Sequence, residues 1–290
     1  MRQTLPFFSI IIPTFSRPKA LKLCLETLTD LDYPRDCFEV IVVDDGSAFS
    51  PKNIVELFFN RLRITLCEES HAGPAAARNT GVSRSKGELL AFTDDDCRPD
   101  RRWLRFLAGC LEADPDSIVG GRTINALIAN AFSSASQLVT DFLCDYYQKI
   151  SAPSFTTNNL AMARQTFQST GGFDTGFPFA AGEDREFCGR ALSQGKKLVF
   201  FSDAVVYHRH RLTFAGFWQQ HFRYGQGAFW YREKVGGTNK SIEPLMFYIN
   251  LVLSPFVRRS QWPVLMFGLL IVSQAANALG FFKQKSMSHR

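Results

Sequence analysis

An apolar segment of this chain ends abruptly in three consecutive aspartates. Residues 88–93 have the composition of a buried strand, and Asp94, Asp95 and Asp96 follow them directly. Pro99 comes soon after and is expected to prevent further strand pairing, because proline has no backbone N–H. Adjacent carboxylates repel one another, and their oxygens are the donors that Mg²⁺ or Mn²⁺ prefers. A solvated acidic turn that caps the next helix would give the same pattern, so the triplet alone leaves both interpretations open.

The preceding residues place this triplet in a sheet. Apolar runs at residues 7–13, 38–43 and 62–66 are typical of buried parallel strands, and helical spacing separates them. This alternation predicts an α/β domain with a mostly parallel, doubly wound sheet and helices on both faces. Ligands of such sheets bind at the carboxyl ends of the strands, where Asp44 and Asp45 also lie. The shared edge favours a metal–nucleotide site over a simple acidic turn.

The regular alternation ends near residue 115. The later patterns predict strands at residues 118–122, 157–163 and 197–201, an apolar stretch at 204–207, and helices at 134–149, 182–192 and 214–233.

The composition becomes strongly apolar after Lys240. The stretch from Trp262 to Phe282 carries no charged residue and has about the length needed to cross a bilayer. Lys283 and Lys285 flank its far end, as is typical of interfacial anchors. We therefore expect a C-terminal apolar helical segment that associates with a membrane from Leu245 to Phe282. An amphipathic helix packed on the domain is the alternative.

The composition of the chain favours a cytoplasmic domain without a nucleic-acid partner. At 290 residues and 46% hydrophobic, the chain can form a large domain with an appendage. Its net charge of +6 is dispersed and no nucleic-acid motif is present, so no nucleic-acid partner is expected. The seven cysteines are scattered without a CxxC pair, which is typical of reduced core residues. The N-terminus is too short and polar for a signal peptide, so we expect the domain in the cytoplasm.

Six segments occur in an order that resembles glycosyltransferase family 2. They are SIIIPTFSRPKAL, VIVVDDGS, AGPAAARNTG, FTDDDCRPD, GGFD and GEDREFCGRAL, and the resemblance covers roughly residues 8–227. The family consists of inverting nucleotide-sugar transferases with the GT-A fold. The resemblance therefore implies this fold, a nucleotide-sugar donor, and Mn²⁺ or Mg²⁺ as the cofactor.

The resemblance also implies a donor site. It assigns Pro13, Thr14 and Arg17 to the base and ribose, Asp45 with Asp44 beside it to the base, and Arg78 to the diphosphate. Each of two residues has an alternative interpretation that the sequence does not exclude. Asp44 could be a turn residue ahead of Gly46, and Arg78 could be an exposed arginine on a helix.

The aspartate triplet matches the DxD motif of the family. The resemblance assigns metal ligation to Asp96, with Asp94 reaching toward the ribose or sharing the metal. Asp95 belongs to the donor site, with its own role open. His208 would complete the metal shell or contact the diphosphate; a surface histidine is the alternative.

The acidic pair Glu183 and Asp184 resembles the ED motif that supplies the general base. An inverting transfer needs one carboxylate to take the proton of the acceptor hydroxyl, and we assign this role to Asp184, with Glu183 as its neighbour or substitute. Acidic residues in a first helical turn are also ordinary partners of the helix dipole.

Together these features predict transfer of a single sugar to a lipid-linked or cell-envelope glycan acceptor, at the cytoplasmic face of the cell membrane. No QxxRW sequence of processive synthases follows the ED pair. We expect a catalytic domain at 1–240, with a donor half to about 120 and an acceptor half after it, and a membrane-associated segment at 241–290. A nucleotidyltransferase and a non-catalytic sugar-nucleotide-binding membrane protein are the alternatives.

Overall fold

The computed structural model describes residues 5–177, 181–235 and 243–288. These residues form eight strands, in chain order β1 Phe8–Thr14, β2 Phe38–Asp44, β3 Ile64–Glu68, β4 Leu89–Phe92, β5 Cys97–Pro99, β6 Ile118–Asn125, β7 Leu160–Ala163 and β8 Leu198–His208. The same residues form ten α-helices, α1 Pro18–Leu28, α2 Lys52–Glu56, α3 Pro74–Arg84, α4 Trp103–Ala113, α5 Ala131–Lys149, α6 Arg164–Thr170, α7 Glu183–Ser193, α8 Phe214–Val235, α9 Leu245–Val257 and α10 Pro263–Ser288.

All eight strands belong to one mixed sheet with the order β3-β2-β1-β4-β7-β6-β8-β5. The β1–β2, β2–β3 and β1–β4 pairs are parallel, which confirms the parallel arrangement predicted for this half. The β4–β7, β6–β7 and β5–β8 pairs are antiparallel. The apolar pattern of a buried strand is the same in either direction, so the sequence did not indicate the antiparallel half.

Helices cover both faces of the sheet. In β1, Ile10 packs in one buried cluster with Leu21 and Leu25 of α1. The next residue, Ile11, points to the opposite face and packs with Ala77 of α3 and Phe167 of α6. Successive strand residues face opposite sides, so a run that is buried throughout needs a helical layer on each side.

The structure corrects the expectation about Pro99. Residues Cys97–Pro99 pair with β8 and form the last strand in the sheet order. Proline is tolerated there because an edge strand can leave one side of its ladder unused.

Two other predicted strands have different bounds. Thr157–Asn159 is a 3₁₀ turn, and only Leu160–Ala163 is a strand. The Asn159 side chain donates to the carbonyls of Arg122 at 3.1 Å and Ala204 at 2.8 Å, so it bridges neighbouring segments instead of extending the strand. The stretches predicted at 197–201 and 204–207 form one continuous strand, β8.

The chain divides into two compact units that interleave along the sequence. The described residues of the first are 5–124, 155–177 and 187–209, and they contain the sheet. Those of the second are 125–154, 181–186, 210–235 and 243–288, and they are largely helical. The predicted domain boundary at 240–241 lies outside the described residues, and the predicted domain division stays a prediction.

Two apolar clusters hold the second unit together. One joins α5, α8 and α10 through Ala135, Phe217, Met266 and Leu269. The other joins α5, α9 and α10 through Val139, Phe247, Leu251 and Leu270. Among the described residues, α10 is the one helix that is long and apolar enough to cross a membrane, by length and composition.

Candidate active site

The aspartate triplet lies in the short connection between β4 and β5, and its three carboxylates have different surroundings. The Asp95 side chain is fully buried, that of Asp96 is 11% exposed and that of Asp94 is 25% exposed. The backbone N–H of Cys97 donates to the Asp94 carbonyl at 3.0 Å, which closes a tight turn. This turn gives the three carboxylates different surroundings, although Asp95 and Asp96 both pair with Arg17.

Asp95 is tied to the end of β1. The Thr14 hydroxyl donates to its Oδ2 at 2.7 Å, and the Arg17 guanidinium pairs with its Oδ1 at 2.8 Å. Burial raises the pKa of Asp95 to about 7, with the charges of Asp96 and Asp94 adding to the effect, while Arg17 and Thr14 oppose it. Thr14, Arg17 and Asp95, all predicted donor-site residues, are therefore in direct contact.

Asp96 joins the triplet to β8. Its carboxylate lies 3.3 Å from Nε2 of His208 and 2.8 Å from Nη1 of Arg17. The antiparallel pairing of Cys97 with His208 brings the imidazole to this position. Burial opposes a positive charge on His208, but the hydrogen bond and charge of Asp96, with the charge of Asp94, raise its pKa. His208 is thus a partner of the triplet and not an isolated surface residue.

Asp94 pairs with Arg78, for which the sequence left two interpretations open. Nη2 of Arg78 donates to Asp94 Oδ1 at 2.8 Å. Arg78 is 4% exposed, so it is not the exposed helical arginine of the alternative interpretation. The small residues of α3 allow this helix to pack closely on β1, with Gly81 against Ile11, and this close packing brings Arg78 to the sheet edge.

Three potential metal-ligating atoms lie within 4.8 Å of one another, one each from Asp96, Cys97 and His208. Burial raises the pKa of the Cys97 thiol well above its ordinary value, and Mn²⁺ and Mg²⁺ prefer oxygen to sulfur ligands, so Cys97 is a poor candidate ligand for either ion. Of the other two potential ligands, the carboxylate oxygen of Asp96 suits Mn²⁺ or Mg²⁺, whereas the imidazole nitrogen of His208 is more typical of later transition metals.

The second acidic pair stabilises turns at the neighbouring strand end. The Asp45 carboxylate accepts backbone N–H groups from Ala72 at 2.7 Å and Gly73 at 3.0 Å. Asp44 accepts hydrogen bonds from the backbone and hydroxyl of Ser47, as a turn residue would. These contacts connect the end of β2 to the loop that leads into α3.

No sequence pattern indicates the aromatic stack that lies beside Asp45. The rings of Phe15 and His71 lie 4.6 Å apart at 28°, and His71 Nδ1 is 2.9 Å from Asp45 Oδ2. The two residues are far apart in the sequence, and the only available signal was an aromatic residue at a strand end. Pro13 is buried in β1 opposite Val43 of β2.

Glu183 and Asp184 belong to the second unit, where they begin α7. The guanidinium of the next residue, Arg185, lies 4.6 Å from the ring centroid of Tyr147 and 4.6 Å from that of Tyr231. Its Nη2 also donates to the Tyr147 hydroxyl at 2.7 Å. The first turn of α7 is thereby fixed to α5 and α8, and the roles predicted for the two carboxylates stay predictions.

Comparison with known proteins identifies the family of this chain. A family model described as glycosyl transferase family 2 matches residues 9–172, and one described as glycosyl transferase family group 2 matches residues 94–280. Glycosyltransferase AglE of Haloferax volcanii is 32% identical over 231 residues, 78% of this chain and 74% of AglE. The chain belongs to glycosyltransferase family 2. The family membership favours glycosyl transfer over the nucleotidyltransferase alternative.

Other relatives of this family 2 glycosyltransferase are more distant. Probable glycosyltransferase YdaM of Bacillus subtilis is 26% identical over 235 residues, which are 77% of this chain and 55% of YdaM. The chain therefore spans about half the length of that relative.

Solved structures show that the fold is GT-A. The mannosyltransferase PcManGT from Pyrobaculum calidifontis, in complex with GDP-Man and Mn²⁺, has a TM-score of 0.63 at 22% identity, covering 99% of this chain and 82% of that one. TarS 1-349 of S. aureus, in complex with UDP-GlcNAc, has a TM-score of 0.56 at 18% identity, covering 98% and 92%. The predicted fold class is confirmed.

Proposed function

We propose that this chain is a metal-dependent inverting glycosyltransferase. It transfers a single sugar from a nucleotide diphosphate sugar to a hydroxyl of a lipid-linked or cell-envelope polysaccharide precursor. The observation that carries the proposal is the contact of Asp96 with His208 at 3.3 Å, at the carboxyl end of β4 in a family 2 chain. The Mn²⁺ and GDP-Man bound by PcManGT, which shares this fold, support the metal and the donor class.

Asp96 and His208 would hold Mn²⁺ or Mg²⁺, with Asp94 beside them. When bound, the metal neutralises the negative charge that grows on the leaving nucleoside diphosphate. Arg17, half exposed and paired with Asp96, would contact the base and ribose of the donor, and Arg78 would lie near its diphosphate. Arg78 is buried and holds Asp94 in place.

The remaining donor-site residues act by position. Pro13 and Thr14 lie at the end of β1, and Asp44 and Asp45 at the end of β2, so their strands present them at one sheet edge. Asp95 would hold Thr14 and Arg17 in position at this edge, because its carboxylate contacts both side chains.

Asp184 is the proposed general base, with Glu183 as its neighbour. The acceptor oxygen attacks the anomeric carbon from the face opposite the leaving group, the bond to the nucleoside diphosphate breaks, and the hydroxyl proton passes to the carboxylate of Asp184. Arg185, held by Tyr147 and Tyr231, fixes the helical turn that carries this carboxylate.

The domain plan and the location follow from the same proposal. Residues 1–240 would form the catalytic domain, with a donor half to about residue 120 and an acceptor half from 121. The segment 241–290 would hold the enzyme at the cytoplasmic face of the membrane, where lipid-linked acceptors are found. The exposed apolar side chains of α9 and α10 support this location.

The metal assignment is tested by nucleoside diphosphate release from a panel of nucleotide sugars with Mn²⁺, with Mg²⁺ and with a chelator. Asp96→Asn is expected to lower turnover at least about 100-fold, because one electrostatic contact to a developing charge contributes that much. Asp116→Asn, at an exposed position of the same unit, is the matched control. Turnover like the wild type in Asp96→Asn, or without any metal, would contradict the assignment.

The base assignment is tested separately. Asp184→Asn should bind the nucleotide sugar with unchanged affinity in calorimetry and lose transfer to the acceptor by about 100-fold or more. Glu183→Gln distinguishes the two carboxylates. Full transfer by Asp184→Asn would remove this residue from the mechanism while leaving the donor site intact.

A further inference from the structure

One face of α10, the helix that is apolar enough to cross a membrane, packs closely against α8. Gly225 of α8 lies so close to α10 that an added Cβ would be 1.9 Å from the Asn277 carbonyl oxygen. In the same way, a Cβ on Gly280 of α10 would be 1.9 Å from the carbonyl oxygen of Phe222. These two glycines allow backbone-to-backbone contact, so α8 and α10 pack as one body.

This contact extends along both helices. Phe217, near the start of α8, shares a buried cluster with Met266, near the start of α10. Further on, the rings of Phe229 and Phe281 are 5.6 Å apart. A buried hydrogen bond of 3.2 Å also joins Gln226 to Gln284. The position of α10 is therefore coupled to that of α8 from end to end.

The polarity of α8 is incompatible with a position inside a bilayer. Arg223 lies in the middle of α8 and is exposed, and Arg232, Glu233 and Lys234 follow in its last turns. If α10 crossed the hydrocarbon, α8 beside it would carry Arg223 near the bilayer centre. An arginine there lowers partitioning by roughly 100-fold.

The opposite face of α10 is exposed and apolar. Its large exposed side chains include Val264, Leu265, Ile271, Leu279 and Phe282, which recur at helical spacing. Only 33% of the most apolar window of this helix is buried.

The neighbouring helix α9 continues this surface. It packs against α10, with the rings of Phe256 and Phe267 5.9 Å apart. Its own exposed apolar side chains are Leu245, Met246, Ile249, Leu253, Phe256 and Val257. The apolar faces of both helices are thus available to one partner.

Charges border this surface. Arg258 and Arg259 lie between the two helices, and Lys283 and Lys285 lie in the last turns of α10. All four are exposed, and Arg258 also pairs with Asp145 of α5 at 2.6 Å. Trp262, 39% exposed, stands at the start of α10. An apolar helical face bordered by basic residues and an amphipathic aromatic fits the interfacial region of an anionic bilayer.

We propose that α9 and α10 lie in the plane of one leaflet of an anionic membrane, and that α10 does not cross it. The apolar faces enter the acyl boundary, the basic residues contact lipid phosphates, and α8 with the rest of the second unit stays on the side from which the helices enter. This inference rests on the membrane association within the proposed function and is independent of the transfer reaction.

The first experiment determines the sidedness of the full chain. Tags placed at the N-terminus and the C-terminus are probed with protease in right-side-out and inverted inner-membrane vesicles. In-plane binding puts both tags on the same face, whereas a crossing α10 puts them on opposite faces and overturns the inference. The transfer reaction can be intact in either case.

The second experiment measures binding of the purified chain to vesicles of neutral phosphatidylcholine with and without 30% phosphatidylglycerol. Lys285→Gln should weaken binding to the anionic vesicles about fivefold and leave neutral vesicles almost unaffected. Ile271→Asp should weaken binding to both by about tenfold, and Leu57→Asp, an exposed apolar position in the first unit, is the matched control. A chain that binds no vesicles, or that covers this surface by forming a dimer in light scattering, would contradict the membrane as the partner.

Discussion

The hydrogen bond from Thr14 to Asp95 allows a direct test of how the site is built. The Thr14 hydroxyl donates to a carboxylate that is fully buried, at 2.7 Å, and both residues belong to the predicted donor site. Thr14→Val keeps the shape of the side chain and removes the donor. The substitution therefore removes a single contact between the end of β1 and the aspartate triplet.

The loss of unfolding free energy caused by Thr14→Val depends on the charge of Asp95. A hydrogen bond to an ionised group contributes about 1.5–3 kcal/mol, against about 1 kcal/mol for a neutral one. Burial raises the pKa of Asp95 to about 7, and the Thr14 hydrogen bond opposes that rise. At pH 9 the carboxylate is ionised, so Thr14→Val should lower the free energy of unfolding by about 2 kcal/mol. At pH 5 the group is protonated, and the loss should fall to about 1 kcal/mol or less.

The assay is urea unfolding at pH 5 and pH 9 with a chelator present, so that metal does not contribute. Thr65→Val, at an exposed position of β3, is the control and should change the free energy of unfolding by less than about 0.5 kcal/mol at either pH. An equal effect of Thr14→Val at both pH values would refute the buried, proton-sensitive contact. Thr14→Ser should restore most of the loss.

Two further predictions concern the second unit. Gly225→Ala places a Cβ 1.9 Å from the Asn277 carbonyl oxygen and should destabilise the chain by about 2 kcal/mol or more in thermal unfolding. The control is Gly268→Ala, whose Cβ meets nothing within 4 Å and should stabilise its helix by about 0.5–1 kcal/mol. Equal effects of the two substitutions would contradict the close contact between α8 and α10. Burial lowers the pKa of His221 to about 4, so the unfolded chain gains a proton below about pH 6.5 that the folded chain does not. Stability should fall by about 2 kcal/mol between pH 7 and pH 5, and His221→Phe should remove this part of the slope in urea unfolding; an unchanged slope would show that His221 is not buried as a neutral ring.

The parallel half of the sheet was predictable because each of its strands is an uninterrupted apolar run between turn or helix signals. The antiparallel half was not, since β7 is only four residues long and its pairing depends on contacts distant in the sequence. Asn159 illustrates the limit: polarity at this position indicates a strand edge or turn, yet the side chain is buried and bridges two segments.

The sequence indicated several residues that the structure brings into contact, but it did not indicate which of them pair. Clustered carboxylates at a strand end pointed to the triplet, and the position of His208 after a strand pointed to its partner. No local pattern assigns Arg17 to Asp95 and Asp96, or Arg78 to Asp94, because those contacts depend on how far β1, α3 and β4 are offset in three dimensions. The burial of Arg78 depends equally on the fit of α3 against the sheet.

The C-terminal helix shows why sequence cannot separate a crossing helix from one lying in the membrane plane. Apolar length and flanking charge are common to both, and α10 satisfies both conditions. What distinguishes the two cases is the helix that α10 packs against. The contacts at Gly225 and Gly280 fix α10 to the polar helix α8, so α10 cannot enter the hydrocarbon alone. Separating the two helices would leave the Gln226–Gln284 hydrogen bond unmade in an apolar medium, a cost of about 1–3 kcal/mol per orphaned group. The polarity of α8 therefore determines the orientation of α10.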